Sequence, residues 1–113
     1  MIENYSFGTM VINSNHYNAD LILFRDTVME NWWRKKGHEL CVADIQSAIE
    51  QFNPAVIVVG TGKFGLMKVL KETEFFLQAR QIRLIAQKTG QACKTYNELI
   101  DTEKVLGLFH LTC

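Results

Sequence analysis

The sequence has no surplus of charge of either sign, no long apolar run and no export signal. Its 12 Lys and Arg offset 12 Asp and Glu, so the chain creates no long-range field that would attract nucleic acid or anionic lipid. The longest apolar runs, "LILF" and "AVIVVG", fall far short of the ~20 residues that span a bilayer. The start, "MIENYSFG", has neither a cationic region nor an apolar signal core. We therefore expect a cytoplasmic protein without nucleic-acid or membrane partners.

Proline and cysteine are also scarce. The single proline is Pro54, and no repeat, low-complexity segment or linker interrupts the chain. Three cysteines, Cys41, Cys93 and Cys113, are an odd number at wide spacing, which argues against a disulfide framework and predicts reduced thiols. With 113 residues, 48% of them apolar, the chain is long enough to fold around one core. We expect one domain over residues 1–113.

Strand patterns fill the first quarter of the chain. "TMVI" and "ADLILF" are rich in β-forming residues, and "NSN" at 13–15 between them suits a hairpin turn. The alternation in "TVMENWWR" predicts that a further strand runs through Trp32 and Trp33. Adjacent strand residues face opposite ways, so one indole is expected in the core and the other on the surface.

Helices and strands alternate in the remainder of the chain. Apolar residues recur at helical spacing from Val42 to Phe52, and Pro54 ends that helix. The pattern continues with a buried strand at "AVIVV" and a helix at 71–80. A strand at "IRLIA", a capped helix at 89–100 and a last strand at "VLGLFHL" follow. Such units form right-handed crossovers and a parallel sheet. We predict a three-layer α/β/α domain whose mixed central sheet combines antiparallel N-terminal strands with a βαβαβ unit.

A glycine-rich loop follows the "AVIVV" strand. Gly60, Gly62 and Gly65 in "GTGKFG" match the G-x-G-x-x-G spacing of dinucleotide-binding folds. The helical pattern, however, does not begin at the last glycine, and the next strand ends at Gln87 instead of the acidic residue that would bind a ribose. The sequence therefore favours a tight turn with close backbone approach and no bound cofactor.

A ligand crevice beside this loop is the alternative. The 60–65 loop and Thr89 both follow parallel strands, and open α/β sheets place ligands at the carboxyl ends of such strands. Thr89 begins a helix whose first amides would attract an anion, and Lys88 stands just before them. The competing interpretation is a solvent-exposed lysine beside an ordinary helix cap.

The segment "NWWRKKGHEL" and two His-x-x-Cys pairs are the other candidates for chemistry. Cations interleaved with aromatics can bind single-stranded nucleic acid, but three cations in a neutral domain favour an exposed strand end. His38 with Cys41, and His110 with Cys113, could supply four zinc ligands. Residues three apart on an extended segment point to opposite sides, so we predict no metal site. No nucleophile with an activating base is evident, which favours a non-enzymatic protein.

Five motifs together resemble one protein family over essentially the whole chain. They are "YSFG" at 5–8, "WWRKKGH" at 32–38, "VVGTGKFG" at 58–65, "TYNEL" at 95–99 and "FHLTC" at the end. The chain resembles the small domain-of-unknown-function family that is named after a methanogen hypothetical protein and includes mitochondrial complex I assembly factor three and the vertebrate adipogenesis-associated protein. The resemblance implies a compact α/β/α fold with a mixed sheet, and it implies no catalytic residue, cofactor or substrate. The mitochondrial members act through protein contacts during complex assembly, although this chain lacks the targeting extension of the organellar assembly factor.

These patterns predict a non-enzymatic protein-interaction or assembly-type module with a protein partner. The alternative is a small-molecule or anion-binding domain, possibly an enzyme, that uses the crevice between the Gly60–Gly65 loop and Thr89. The candidate binding residues for either role are Trp33, Arg34, His38, Gly60, Thr61, Gly62, Gly65, Lys88 and Thr89.

Overall fold

Ten strands and three helices make up the structure, a computed structural model that describes residues 1–113. In chain order they are β1 (Ile2–Ser6), β2 (Thr9–Ile12), β3 (Asn15–Tyr17), β4 (Leu21–Phe24), β5 (Thr27–Met29), β6 (Glu39–Leu40), α1 (Gln46–Phe52), β7 (Val56–Thr61), β8 (Lys68–Val69), α2 (Lys71–Ala79), β9 (Arg83–Gln87), α3 (Thr89–Leu99) and β10 (Val105–His110). A 3₁₀ turn, Val42–Asp44, precedes α1. None of the helices combines the length and apolar character that crossing a bilayer requires.

A five-stranded mixed sheet forms the middle layer, in the order β5-β4-β10-β7-β9. β10, β7 and β9 run parallel, whereas β4 and β5 are antiparallel additions on one side. α2 connects β7 to β9, and α3 carries the chain back past β7 to β10. The predicted three-layer α/β fold, with a mixed sheet and antiparallel N-terminal strands, is confirmed.

Two apolar cores lie on opposite faces of this sheet, because the side chains of each strand alternate. Ile57 and Val59 of β7 share one core with residues of α1 and α2. Val56 and Val58 share the other with residues of α3 and of a separate three-stranded sheet, β1-β2-β3. Burying a side chain of this size contributes about 1.5–3 kcal/mol relative to exposure. All of β7 is buried, so this strand anchors both cores, as its continuous apolar run predicts.

The predicted hairpin between "TMVI" and "ADLILF" is wrong. The chain does turn at Asn13 and Ser14, whose φ angles are 49° and 68°. β2 then pairs with β3 and with β1, whereas β4 joins the central sheet beside β10. β3 is the mostly polar tripeptide "NHY", whose first residue is disfavoured in strands. A strand of this composition is recognisable only from the partner with which it pairs.

The further strand predicted over "TVMENWWR" forms only in part: β5 ends at Met29 and does not continue through the two tryptophans. Asn31 has a φ of 56°, which breaks the extended conformation. The two indoles nevertheless differ in exposure as expected, since Trp32 is 9% exposed and Trp33 75%. The Trp32 indole N–H donates to the carbonyl of Asp44 at 3.1 Å, which ties this irregular segment to the 3₁₀ turn.

The predicted helices all form, with small shifts at their ends. α1 stops at Asn53, which adopts a left-handed conformation directly before Pro54. Lys88 is the N-cap of α3 and Thr89 is its first helical residue, so Thr89 does not cap the helix with its hydroxyl. That hydroxyl bonds elsewhere, at the site described next.

Candidate functional site

The carboxyl ends of the three parallel strands meet at one side of the central sheet, here called the glycine edge. Gly62 follows β7, Lys88 follows β9, and His110 ends β10. β4 runs antiparallel to β10, with Leu21 opposite Phe109, so Asp20 lies at this same edge. The topology therefore brings together residues from four distant parts of the sequence.

An ionic cluster of buried Arg34 and His110 with partly buried Asp20 lies at the glycine edge. One Asp20 carboxylate oxygen lies 2.8 Å from Arg34 Nη1 and 2.8 Å from His110 Nδ1, and the other accepts the Leu111 amide at 2.7 Å. Arg34 is 8% exposed and His110 5%. Burial pulls the pKa of Asp20 upward, but the hydrogen bonds from His110, Leu111 and Arg34 outweigh it and lower this pKa below its ordinary value.

The geometry assigns the proton on the histidine ring. A carboxylate only accepts hydrogen bonds, so the His110 Nδ1–H must donate to Asp20. Arg34 Nη2 lies 3.1 Å from the same nitrogen and donates to the carbonyl of Gly37 at 2.8 Å. His110 Nε2 is buried without a partner. The ring of His38 lies against that of His110, with 5.8 Å between their centroids.

This cluster holds the segment from Trp32 to His38 in place. The Arg34 guanidinium carbon lies 4.7 Å from the centroid of the Trp32 ring, and both side chains are buried. Its bond to Gly37 then fixes the turn that follows. Among the predicted binding residues in this segment, Arg34 is buried and contacts Asp20, Gly37 and Trp32. The side chains of Trp33 and His38 are exposed.

The glycine loop and Thr89 contact each other directly. The Gly62 amide donates to the Thr89 hydroxyl at 2.8 Å, and that hydroxyl donates to the His110 carbonyl at 2.6 Å. The Thr89 amide donates to the Gly62 carbonyl at 3.1 Å, and the Thr61 hydroxyl donates to the Gln87 carbonyl at 3.0 Å. Hydrogen bonds within the chain thus occupy the Gly62 and Thr89 amides and the hydroxyls of Thr61 and Thr89, which the predicted crevice would offer to an anion. Ligand binding by these residues stays a prediction.

Close packing explains the glycines of this loop. A Cβ on Gly60 would lie 2.9 Å from both the Phe109 ring and the Thr89 hydroxyl, and Gly62 has a φ of 103°. A Cβ on Gly62 would lie 2.3 Å from the carbonyl carbon of Cys113. The spacing G-x-G-x-x-G therefore arises here from a turn pressed against β10 and the segment that follows it, as the tight-turn interpretation requires.

Exposed aromatic side chains flank the closed loop. Phe64 lies in the loop and Phe7 in the β1–β2 turn, and their ring centroids are 6.3 Å apart. Phe7 is 51% exposed, Phe64 59% and nearby Leu66 48%. We call these three side chains the aromatic patch. The side chain of Lys88 lies beside Gly65 in the same region, and Lys63 is exposed next to Phe64.

Sequence reasoning missed the aromatic patch and two members of the ionic cluster, Asp20 and His110, as site residues. A phenylalanine beside a turn glycine, as in "SFG" and "KFG", is the available signal for the patch, because a large side chain in a tight turn has little core to enter. Nothing local indicates that Asp20 and His110 meet. The zinc arrangement also does not form: the Cys41 thiol donates to Asp44, and no group of three or more His, Cys, Asp or Glu side chains is arranged to hold a metal ion.

The architecture defines a small three-layer α/β domain whose sheet edge is closed by internal hydrogen bonds and flanked by exposed aromatics. The family described as "Protein of unknown function (DUF498/DUF598)" matches residues 2–110, and the chain belongs to that family. The resemblance to the family named after a methanogen protein is confirmed, since a solved Bordetella pertussis relative is described as a Mth938-like domain.

Relatives of known sequence or structure share the whole domain. The chain is 30% identical over 110 residues to the "13 kDa major membrane protein" of Francisella tularensis subsp. holarctica (strain LVS), covering 90% of this chain and 82% of that one. A conserved hypothetical protein of Pyrococcus horikoshii OT3 matches with a TM-score of 0.82 at 22% identity, covering 100% and 99%. The Bordetella pertussis domain matches with a TM-score of 0.79 at 18% identity, covering 98% and 85%. These solved structures establish the fold that the chain shares with them.

Proposed function

We propose that this protein is a non-enzymatic interaction module that docks a partner protein on the aromatic patch. The observation that carries the proposal is the contact between Phe7 and Phe64, two rings more than half exposed and 6.3 Å apart at centroid. Adjacent aromatic side chains on a surface are typical of interface hot spots, because they supply large apolar area with few rotatable bonds.

The patch is supported rigidly, which favours binding. The Lys63 amide donates to the Thr112 carbonyl at 2.7 Å, the Leu66 amide to the Cys113 carbonyl at 3.0 Å, and the Gly8 amide to the Leu111 carbonyl at 2.8 Å. Both turns that carry the aromatic rings are thereby attached to the chain that follows β10. A surface held in one conformation loses less conformational entropy when a partner binds.

The charges around the patch indicate the chemistry of the partner. Lys63 and Lys88 are exposed, and neither takes part in the ion pairs of the chain. Cations at the rim of an apolar surface favour a partner with complementary negative charge. We infer a partner segment that combines apolar side chains with Asp or Glu.

Affinity capture with matched variants tests this role. Tagged wild type, a Phe7→Ser/Phe64→Ser double variant and a Phe75→Ser control would each be incubated with a native lysate and the retained proteins identified by mass spectrometry. Phe75 is 66% exposed on α2, so its replacement removes an exposed ring elsewhere. We expect one identified protein at stoichiometric yield with wild type and control, and its loss with the double variant.

The purified partner then allows a quantitative measurement. Titration calorimetry should show at least about a tenfold weaker affinity for the double variant, since truncating an aromatic hot spot typically costs 2 kcal/mol or more. Lys63→Glu/Lys88→Glu should also weaken binding. The loss of affinity should be larger at low salt than at high salt, because salt screens exposed charges. Equal recovery of every protein by all three baits would refute the docking proposal.

Two other roles make different predictions in the same experiments. The relative named a membrane protein motivates one control: sedimentation with vesicles that contain anionic phospholipid. Vesicle binding that Phe7→Ser/Phe64→Ser abolishes would assign the patch to a membrane surface instead of a protein. Ligand binding by the Gly60–Gly65 loop and Thr89 predicts that inorganic phosphate shifts the NMR signals of those amides. That alternative has less support, because these groups already bond within the chain.

A further inference from the structure

β9 is the last strand of the central sheet on one side, and it has a neighbour on only one of its own sides. It pairs with β7 alone, in parallel and without a bulge from Arg83 to Gln87. Arg83 and Ala86 are exposed, and Leu84 and Ile85 are half-buried. Proteins usually protect such a strand with proline, a bulge or several charges. β9 has no proline and a single charge, at its first position, so it is open to a further strand.

The free side of β9 offers four backbone groups. The Arg83 amide donates to the Ala55 carbonyl at 3.1 Å, so the backbone groups of Arg83 face β7. Successive residues of a strand direct these groups to opposite sides, so the amides and carbonyls of Leu84 and Ala86 point away from β7. Two donors and two acceptors are thus available to a neighbouring strand.

A second copy of β9 matches these four groups. In an antiparallel pair with a twofold axis at Ile85, Leu84 of each copy lies opposite Ala86 of the other. Residues opposite each other in this way exchange two hydrogen bonds. The two equivalent pairs therefore use every free amide and carbonyl of Leu84 and Ala86.

The two neighbouring symmetric registers are less favourable, because each meets a group that is already bonded. A twofold axis at Leu84 would bring Ala86 opposite Ile82, whose amide donates to the Leu77 carbonyl at 3.0 Å. An axis at Ala86 would bring Leu84 opposite Lys88, whose carbonyl accepts the Ala92 amide at 2.9 Å. The chain itself thus selects the register centred on Ile85.

The apolar side chains of β9 suit the same register. Ile85 lies on the face of α3, beside the core that this helix covers, and would meet Ile85 of the second copy. Leu84 lies on the opposite face, beside the core that α2 covers, and would meet the small side chain of Ala86. Aliphatic pairs across two strands are favourable contacts. Both half-buried side chains would become covered.

The polar side chains of β9 are also complementary in this register. Arg83 would lie opposite Gln87 of the second copy. The Thr95 hydroxyl donates to Gln87 Oε1 at 2.7 Å, which orients that oxygen and leaves it a lone pair for a guanidinium. Arg83 takes part in no ion pair within its own chain. No like charges lie opposite each other, so charge does not oppose the pairing.

We propose that two copies of this protein associate through β9, which joins their central sheets as an antiparallel strand pair with a twofold axis at Ile85. An interface of one strand pair is small, so we expect a dissociation constant on the order of 10–100 μM. The dimer uses none of the residues of the aromatic patch, so its test does not depend on the proposed docking role. A strand of another protein is the competing occupant, and it predicts a chain that remains monomeric.

Sedimentation equilibrium of the full chain, at concentrations on either side of this dissociation constant, would test the association. We expect the mass to rise from 13.0 kDa to twice that value. Ala86→Lys should weaken the dimer at least about tenfold, because a lysine on the free strand would meet the apolar Leu84 of the second copy. Gln51→Lys adds the same charge at an exposed position of α1 and should leave the dimer unchanged. Circular dichroism would confirm that both variants are folded.

Cysteine cross-linking under mild oxidation would test the register. Ile85→Cys should form a disulfide-linked dimer, because directly opposite residues of a pair without hydrogen bonds have Cα atoms about 4.5 Å apart. Arg83→Cys should not, since its two positions are separated by four residues along the strands, roughly 14 Å. Wild type, with its own three cysteines, gives the background.

Three results would overturn the proposal. The first is a chain that remains at 13.0 kDa throughout the concentration range. The second is equal cross-linking of Ile85→Cys, Arg83→Cys and wild type. The third is a dimer that Ala86→Lys leaves intact and Phe7→Ser/Phe64→Ser dissociates, which would assign self-association to the aromatic patch.

Discussion

The two edges of the central sheet handle polar groups in opposite ways. At the glycine edge, Arg34 and His110 are buried and pair with the partly buried Asp20. At the opposite edge, where β10 begins, the carboxylates of Asp26, Asp101 and Glu103 are exposed and take part in no ion pair of the chain. The edge where α/β sheets usually bind ligands is thus the one closed by internal bonds. The comparison teaches that the position of a site in a fold is a weaker guide than whether its polar groups are already satisfied.

The largest effect should come from breaking the buried cluster. Arg34→Ala removes the guanidinium partner of the partly buried Asp20 carboxylate, so we expect a loss of about 3 kcal/mol in the free energy of unfolding. Urea denaturation followed by circular dichroism would measure it. Lys36→Ala, which breaks the exposed ion pair with Glu39, is the matched control and should cost less than about 1 kcal/mol. Equal losses in the two variants would show that the glycine edge is not held by its ionic cluster.

The sequence predicted the βαβαβ half of the fold well, for a physical reason. The pattern of β7, α2, β9, α3 and β10 is set by local apolar periodicity and by a proline stop. The N-terminal quarter depends on pairing between distant segments. β3 has no apolar pattern, and the Trp32–Trp33 segment is held by Arg34 and Asp44 instead of by strand neighbours.

The candidate site was predictable only in part, because its contacts span long stretches of sequence. Motif reasoning identified the glycine loop, Arg34 and His38, all of which lie at the glycine edge. Asp20 contacts His110, which lies 90 positions further along the chain, and the ring of Phe7 contacts that of Phe64, which lies in a different turn. No local pattern encodes such pairs, since the first follows from the strand order β4-β10-β7 and the second from contact between the β1–β2 turn and the glycine loop. The negative charge near the start of β10 was equally hidden, because Asp26 comes from one loop and Asp101 and Glu103 from another.

A pair of glycine substitutions compares the closed edge with an open position. Gly62→Ala places a Cβ 2.3 Å from the Cys113 carbonyl carbon at a φ of 103°, so we expect a loss of more than about 1 kcal/mol in the free energy of unfolding. Gly90 in α3 has no atom within 4 Å of an added Cβ. Gly90→Ala should therefore stabilise the protein by about 0.4–1 kcal/mol through reduced backbone entropy of the unfolded chain. Thermal denaturation would show melting temperatures moving in opposite directions, and a shared direction would contradict the packing explanation.

The smallest effect distinguishes the two edges most directly, because it removes one hydroxyl from each. The Tyr5 hydroxyl donates to the Leu111 carbonyl at 2.8 Å beside the glycine edge, so Tyr5→Phe should lose about 1 kcal/mol in the free energy of unfolding. Tyr96→Phe removes a hydroxyl that has no partner and should leave stability unchanged or slightly raised. Urea denaturation of both variants at the same pH would measure the difference. A loss in Tyr96→Phe as large as that in Tyr5→Phe would mean that the backbone amide of Arg25 already satisfies the Tyr96 hydroxyl.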